Sequence, residues 1–239
     1  MSLLTIVQDA ALRCELAQPT SAFSSPDLTT QQLVGFAADA GRELVARCDW
    51  RNLKISGQCI GDGASTLFQC PLDFKRLAPS DKSPKGALVS SLYPTLPLFG
   101  PVNDEDLLQM KAFPSWPTRP VWRLIGTTLE IWPALAVNEV VSFTYYSKNW
   151  ILAGDGLTKR QRWGADSDTS LIDEDTIMEG TVWRFKASKG FDYAEEFRAY
   201  ENSVNRNAGQ EGTERVVSTS SRQVNQDSWW PGVISYTAP

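Results

Sequence analysis

Two kinds of apolar spacing divide the chain. Near the start, Leu4, Val7, Ala11 and Cys14 recur at steps of three and four, which predicts an amphipathic helix over residues 3–17. Pro19, Pro26 and several serines make residues 18–27 a loop. A second helix follows, with Thr29 as cap and Gln32 completing a capping box. Leu33, Phe36, Ala37, Ala40, Leu44 and Cys48 form its apolar face, and the two helices are expected to pack antiparallel. From Trp50 to about Ser147 the apolar runs shorten and turn aromatic or β-branched. Strands are predicted at 66–69, 87–90, 121–125, 128–132 and 139–146, with a hairpin turn at Gly126 and Thr127. Within this stretch Asn103 caps a short helix over 103–111, and the three prolines and Trp116 of residues 113–120 mark an irregular loop. Helical spacing then returns. Asp173 caps a helix carrying Ile177, Met178, Val182 and Phe185, which stops at Gly190. Asp192 and Glu195 open another, with Tyr193, Phe197, Tyr200 and Val204 on one face, running to about Asn207.

The predicted fold class is α+β. Helix pairs at 1–50 and 166–208 form a helical bundle, and a β-rich insertion (sandwich- or barrel-like) occupies 51–165. Residues 209–239 form an extended arm. The arm is polar as far as residue 228, yet it ends in SWWPGVISY (228–236). An apolar cluster on a polar arm calls for a surface to dock on. Trp229, Trp230, Pro231, Ile234 and Tyr236 are the candidate anchors. Arg184, Lys186 and Lys189 are candidate polar contacts to a partner, with a solvated helix face as the plainer alternative. Trp183 is expected in the core.

A chain of 239 residues is long enough to bury a core without staples. Its net charge of −5 argues against a protein that grips nucleic acid by its phosphates, though not against a surface that DNA slides past. No apolar run reaches the roughly 18–20 residues of a membrane span, and the N-terminus lacks the basic start of a signal peptide. Cys14, Cys48, Cys59 and Cys70 contain no C-x-x-C pair and are expected as free thiols, so the reading is a protein assembled in the cytosol.

Histidine is absent, which removes Ser-His-Asp and Cys-His catalysis and the commonest metal ligand. No P-loop, dinucleotide fingerprint or nucleophile elbow is present, and Gly61-Asp62-Gly63 is a turn signal. The acids Asp166, Asp168, Asp173, Glu174 and Asp175 begin like a calcium loop. However, Leu171 and Ile177 stand where such a loop needs glycine and glutamate, so caps and macrodipole partners are the expectation. Carboxylate pairs such as Glu130 with Glu139, or Asp62 with Asp73, keep a glycan-cleaving alternative open. Trp116, Trp122 and Trp132 keep open a sugar-binding β module. Core or interface packing is the plainer reading of these tryptophans. No residue is assigned a catalytic, cofactor-binding or metal-binding role.

Several segments, in order, resemble a family of bacteriophage head-to-tail adaptors, the portal-to-tail connectors of tailed and often short-tailed phages. They are LTIVQDA (4–10), GREL (41–44) with Asp49 and Trp50, FTYYSKNW (143–150), GADSD (164–168), LIDE (171–174), WRFKASKG (183–190) and FDYAEE (191–196). The resemblance covers most of residues 3–207 and weakens over 75–120 and in the tail. It implies a structural, non-enzymatic virion protein that forms a ring of identical subunits, usually twelve, around the DNA channel. Helices would face the portal, the β insertion the tail nozzle, and C-terminal arms would lock neighbouring proteins. Some related adaptors are linked to peptidoglycan cleavage, but no residue here matches such an activity.

Overall fold

The computed structural model describes residues 2–79, 86–113 and 120–211. Trp229, Trp230, Pro231, Ile234, Tyr236 and Trp116 lie outside these residues. The fold is mixed α+β. Helix α1 (Leu3–Arg13) opens on a capping box. Ser2 accepts the Thr5 N–H, and the Thr5 hydroxyl accepts the Ser2 N–H at 2.9 Å. The helix stops four residues short of expectation, and its buried stripe is Leu3, Ile6, Val7, Ala10 and Ala11, with Leu4 and Cys14 at the margin. Helix α2 (Leu28–Arg47) is capped by Asp27, whose carboxylate accepts from Thr30 N at 2.8 Å, rather than by Thr29. A carboxylate two positions earlier outcompetes a threonine because it offers a charge to the helix N-terminus.

Strand β1 (Lys54–Ile60) follows a single 3-10 turn. Next come β2 (Leu67–Gln69), β3 (Phe74–Leu77) and β4 (Leu88–Ser90), then helix α3 (Asp104–Ala112) with Asn103 as its cap. The hairpin β5 (Val121–Ile125) and β6 (Thr128–Trp132) turns at Gly126, whose φ of +59° is the kind of conformation that the first central residue of a two-residue turn requires. Strand β7 (Val140–Ser147) pairs with β1 from Val140 to Tyr146 and also with β3 and β4. Strands β2, β6 and β5 make a second antiparallel sheet. The short strands β8 (Ile151–Leu152), β9 (Lys159–Arg160) and β10 (Thr169–Ser170) form a third. Helix α4 (Glu174–Lys189) then packs on α1, α2 and the last helix, α5 (Ala194–Glu211).

Two main cores result. One gathers α1, α2, α4 and α5. The other gathers β1, β3, β4, β6 and β7 around Leu88, Leu129, Ile131, Val141 and Phe143. A small satellite joins α3 to β5 through Leu107, Met110 and Val121. Part of the expected insertion at 51–165 packs with the helices. Trp150, Ile151 and Trp163 belong to the helical core, where Trp150 meets Trp163 edge-on with ring centroids 5.0 Å apart. The Trp150 ring reaches that core because Gly41 on α2 carries no side chain: a Cβ there would stand 2.1 Å from the ring. Among the described residues, no helix is long and apolar enough to cross a membrane.

Candidate partner-contact surface

The acids that sequence brings together are consumed by the fold. Asp166 accepts from Ser21 Oγ (2.7 Å), Ala22 N (3.0 Å) and Phe23 N (2.6 Å), clamping the α1–α2 loop. Burial pushes its carboxyl up, but these hydrogen bonds outweigh that and hold it below the ordinary range. Asp168 is fully buried and accepts from Gly164 N at 2.7 Å and Ala165 N at 3.1 Å. Asp173 caps α4 through Thr176 N at 3.0 Å and accepts from Asn207 Nδ2 at 3.1 Å, tying α5 to the start of α4. Asp173, Glu174 and Asp175 thus act as cap and first-turn acids. Asp166 and Asp168 instead organise loops, a role that spacing alone does not reveal. No group of three His, Cys, Asp or Glu among the described residues is placed to hold a metal ion.

The paired carboxylates do not form a reactive site. Glu130 sits between Lys111 Nζ and Arg123 Nε, both at 2.6 Å. Burial raises its carboxyl, but these two cations outweigh it and leave the group below its usual value. A general acid needs the opposite. Glu139 accepts from Ser90 Oγ and from Ala136 N at 2.9 Å. The two glutamates therefore share no partner. Asp62 closes a turn by accepting from Ala64 N and Ser65 N, and the Ser65 hydrogen bonds bring its carboxyl down to about 2. Asp73 accepts from Tyr145 Oη (3.0 Å) and Ser147 Oγ (2.7 Å), bracing β7. The cysteines are free, and burial pushes Cys59 and Cys70 up to about 11, so neither thiol is a ready nucleophile. Trp122 is buried, and Trp132 packs against the satellite core.

Part of what remains open to solvent is apolar. Helix α4 ends in a Schellman motif: Gly190 takes φ +75°, Gly190 N donates to Ala187 O, and Phe191 N donates to Lys186 O at 3.0 Å. The residue after the glycine in such a motif usually tucks its side chain against the helix. Here Phe191 is 61% exposed. Asp192 then accepts from Ala194 N and starts α5. This corner holds Tyr193 and Phe197 at the surface, 42% and 40% exposed, over the ring of Trp183. Ring centroids lie 6.2 Å from Trp183 to Tyr193 and 5.2 Å, edge-on, from Trp183 to Phe197. The stack continues inward to the buried Tyr200. An open groove of about 600 Å³ runs along this corner, lined by Phe191, Tyr193, Phe197, Asp192, Arg198 and Glu201. Trp183 is thus half-buried, packed between the helical core and the rings that line the groove.

The three sequence-predicted cations lie beside this corner with internal partners. Arg184 donates to Gly180 O at 2.7 Å, pairs with Glu43 on α2, and stacks 4.4 Å from the Trp183 ring. Lys186 pairs with Glu196 across the α4–α5 turn. Lys189 donates to Gln32 Oε1 at 2.9 Å and lies 5.3 Å from the Phe185 ring. They fasten the corner to α2 and α5. The exposed aromatic residues, rather than these cations, present the free surface.

A second apolar surface lies in the β-rich part. Leu92, Tyr93, Leu96 and Phe99 follow β4 and are all at least 40% exposed, and Leu108 and Phe113 add to them from α3 and its end. The two surfaces sit at far ends of one connection. Lys189 meets α2 near its start, at Gln32, whereas β3 meets α2 at its end, where Lys75 donates to Val45 O and Arg76 pairs with Asp49. From Gln32 to Val45 is about 20 Å of helix. Strand β1 leaves that junction at Lys54, and β4 pairs with the opposite end of β7, at Val141 to Phe143. That adds roughly 10–17 Å of strand. No protein-family model matches the sequence, and no curated protein matches it.

Proposed function

We propose that this protein is a structural connector of a phage particle, a head-to-tail adaptor that forms a ring between the portal and the tail nozzle around the DNA channel. In this reading α1, α2, α4 and α5 are one helical bundle, the β-rich residues are an insertion in it, and the C-terminal arm reaches a partner. The observation that carries it is the pair of exposed apolar surfaces at the far ends of the α2–β1 connection. A subunit that bridges two neighbours needs two such faces, and ring closure needs a heterologous contact in which one patch of a copy meets a different patch of the next. The resemblance of residues 3–207 to the adaptor family points the same way.

A hydrolase using Glu130 and Glu139 fits less well, since each carboxylate is tied to structural partners. A sugar-binding module fits less well because Trp122 has no exposed face. The test is mass photometry of the purified chain, alone and with portal rings, for full-length protein and for a truncation after Glu211. The expected result is a monomer that joins the portal in a fixed, ring-sized number of copies and fails to do so without the tail. Absence of association in both forms would overturn the proposal.

A further inference from the structure

The aromatic groove at the α4–α5 corner has a depth of packing that an idle surface does not need. Phe191, Tyr193 and Phe197 expose large rings together, and Trp183 and Tyr200 back them from below. The charged rim alternates in sign, with Asp192 and Glu201 flanking Arg198. Aromatic-lined grooves of this kind receive extended segments that carry proline and aromatic side chains. One such segment belongs to this chain. Residues 228–236 read Ser-Trp-Trp-Pro-Gly-Val-Ile-Ser-Tyr, and nothing between Glu211 and Asp227 resembles them.

We infer that, in the free chain, the Trp229–Trp230–Pro231 segment docks on its own Phe191–Tyr193–Phe197 groove. The chain length allows it. Helix α5 carries the backbone from Ala194 to Glu211, about 27 Å from the groove. The stretch from Glu211 to Trp229 spans up to about 60 Å when extended, and a flexible chain of that length has a root-mean-square span of about 25 Å. The span of the linker thus matches the distance back along α5, the condition under which tethering raises effective concentration most. The segment brings apolar area to the exposed aromatic cluster of Phe191, Tyr193 and Phe197, and Gly232 leaves room for a turn beyond Pro231. Docking hides the apolar face of the groove and that of the tail segment, which the chain would otherwise present together. Where the connector reading holds, it also keeps the arm from premature contacts until a partner offers a better site. The intrachain site itself does not depend on that reading.

Hydrogen–deuterium exchange on the full chain tests this. Amides of residues 229–236 should exchange at least tenfold more slowly than an unstructured peptide of the same sequence, at a rate independent of protein concentration. Phe191→Ser with Phe197→Ser should abolish this protection while leaving α1 and α2 protected. Trp229→Ser with Trp230→Ser, which cannot disturb the folded helices from outside them, should speed exchange at residues 191–198 by a similar factor. Random-coil exchange over 229–236 would overturn the inference. So would protection that grows with protein concentration, because the occupant would then be a second copy. Protection that survives loss of both phenylalanines in a folded chain would place the segment elsewhere and also sink it.

Discussion

The helical core and the β-rich part use the same device at one point and differ at another. In the first, Gly41 leaves room on α2 for the Trp150 ring; in the second, Gly57 in the middle of β1 lies under the Phe143 ring, with a would-be Cβ 2.7 Å from it. Both glycines mark places where an aromatic side chain from a distant part of the chain sets the spacing. The parts diverge in how they bury polar groups. Around the helices, acids are spent on backbone N–H groups: the exposed Asp27 and the more buried Asp166, Asp168 and Asp173 each accept from at least one. In the β-rich part Glu139 does the same through Ala136 N, but a second carboxylate, Glu130, is buried against two cations from different elements. Caps stabilise locally and are written in adjacent residues. A buried ion cluster depends on three residues far apart in sequence, and its net worth hinges on keeping all of them.

The largest effect should come from the residue that assigns residues 150–165 to the helical side. Trp150→Ala removes a fully buried ring wedged between Gly41 and Trp163 and should cost roughly 4 kcal/mol. Urea denaturation should show a lowered midpoint. Under native conditions, amide exchange should rise in α2 and α4 well before it rises in β1 and β7. Equal loosening of β7 would mean that residues 150–165 belong with the β-rich part after all.

This assignment also shows where sequence was readable. The helices announce themselves because period and cap coincide: Asn103, Asp173 and Gly190 stand where the pattern puts them. The hairpin at Gly126 was legible for the same reason, since its turn is two residues long and chemically marked. Strand β1 was not. Its sequence KISGQCI has a glycine at its centre and only Ile55 and Cys59 as apolar side chains on its inward face, and it is a strand because β7 pairs with all seven of its residues. Trp150 and Trp163 follow the β-rich texture in sequence, so their place in the helical core emerges only when α2 offers Gly41. The aromatic groove was half legible. Tyr193 and Phe197 share the predicted face with Tyr200 and Val204, but only the last two are buried. The Schellman turn at Gly190 swings the first residues of α5 past the end of the core, a consequence of turn geometry that periodicity does not carry.

The two glycines sharpen the comparison at a smaller scale. In an exposed helix, Gly→Ala gains about 1 kcal/mol from propensity. Gly41→Ala should reverse that and lose roughly 2–3 kcal/mol, because the new methyl meets a tryptophan that is itself packed on all sides. Gly57→Ala should lose less, about 1 kcal/mol. Its nearest atoms are the far edge of the Phe143 ring, which can give by a small rotation. Thermal or urea unfolding of the two variants checks the order. A milder effect at Gly41 than at Gly57 would show that the helical core has the slack and the sheet does not.

The smallest effect concerns the buried ion cluster and is separated from the others by its pH dependence. Glu130→Gln keeps the shape of the side chain and removes its charge. Lys111 is about a third exposed, and Arg123 retains Asp104 as a second partner, so the two cations are not stranded and the loss at neutral pH should be only about 1 kcal/mol. Because Lys111 and Arg123 hold the folded-state carboxyl below its unfolded value, the cluster's contribution is fully present above the ordinary glutamate range of about 4.3. It fades as pH falls through the depressed folded value, where the carboxylate takes up a proton in the folded state as well. The stability gap between the natural chain and Glu130→Gln should therefore be widest at neutral pH and narrow progressively in acid. Urea midpoints of the two proteins across acidic to neutral pH would reveal it. A gap that stays constant would mean that Glu130 stabilises α3 and the β5–β6 hairpin through shape and hydrogen bonding rather than charge, and the polar contrast between the two halves of the molecule would lose its electrostatic basis.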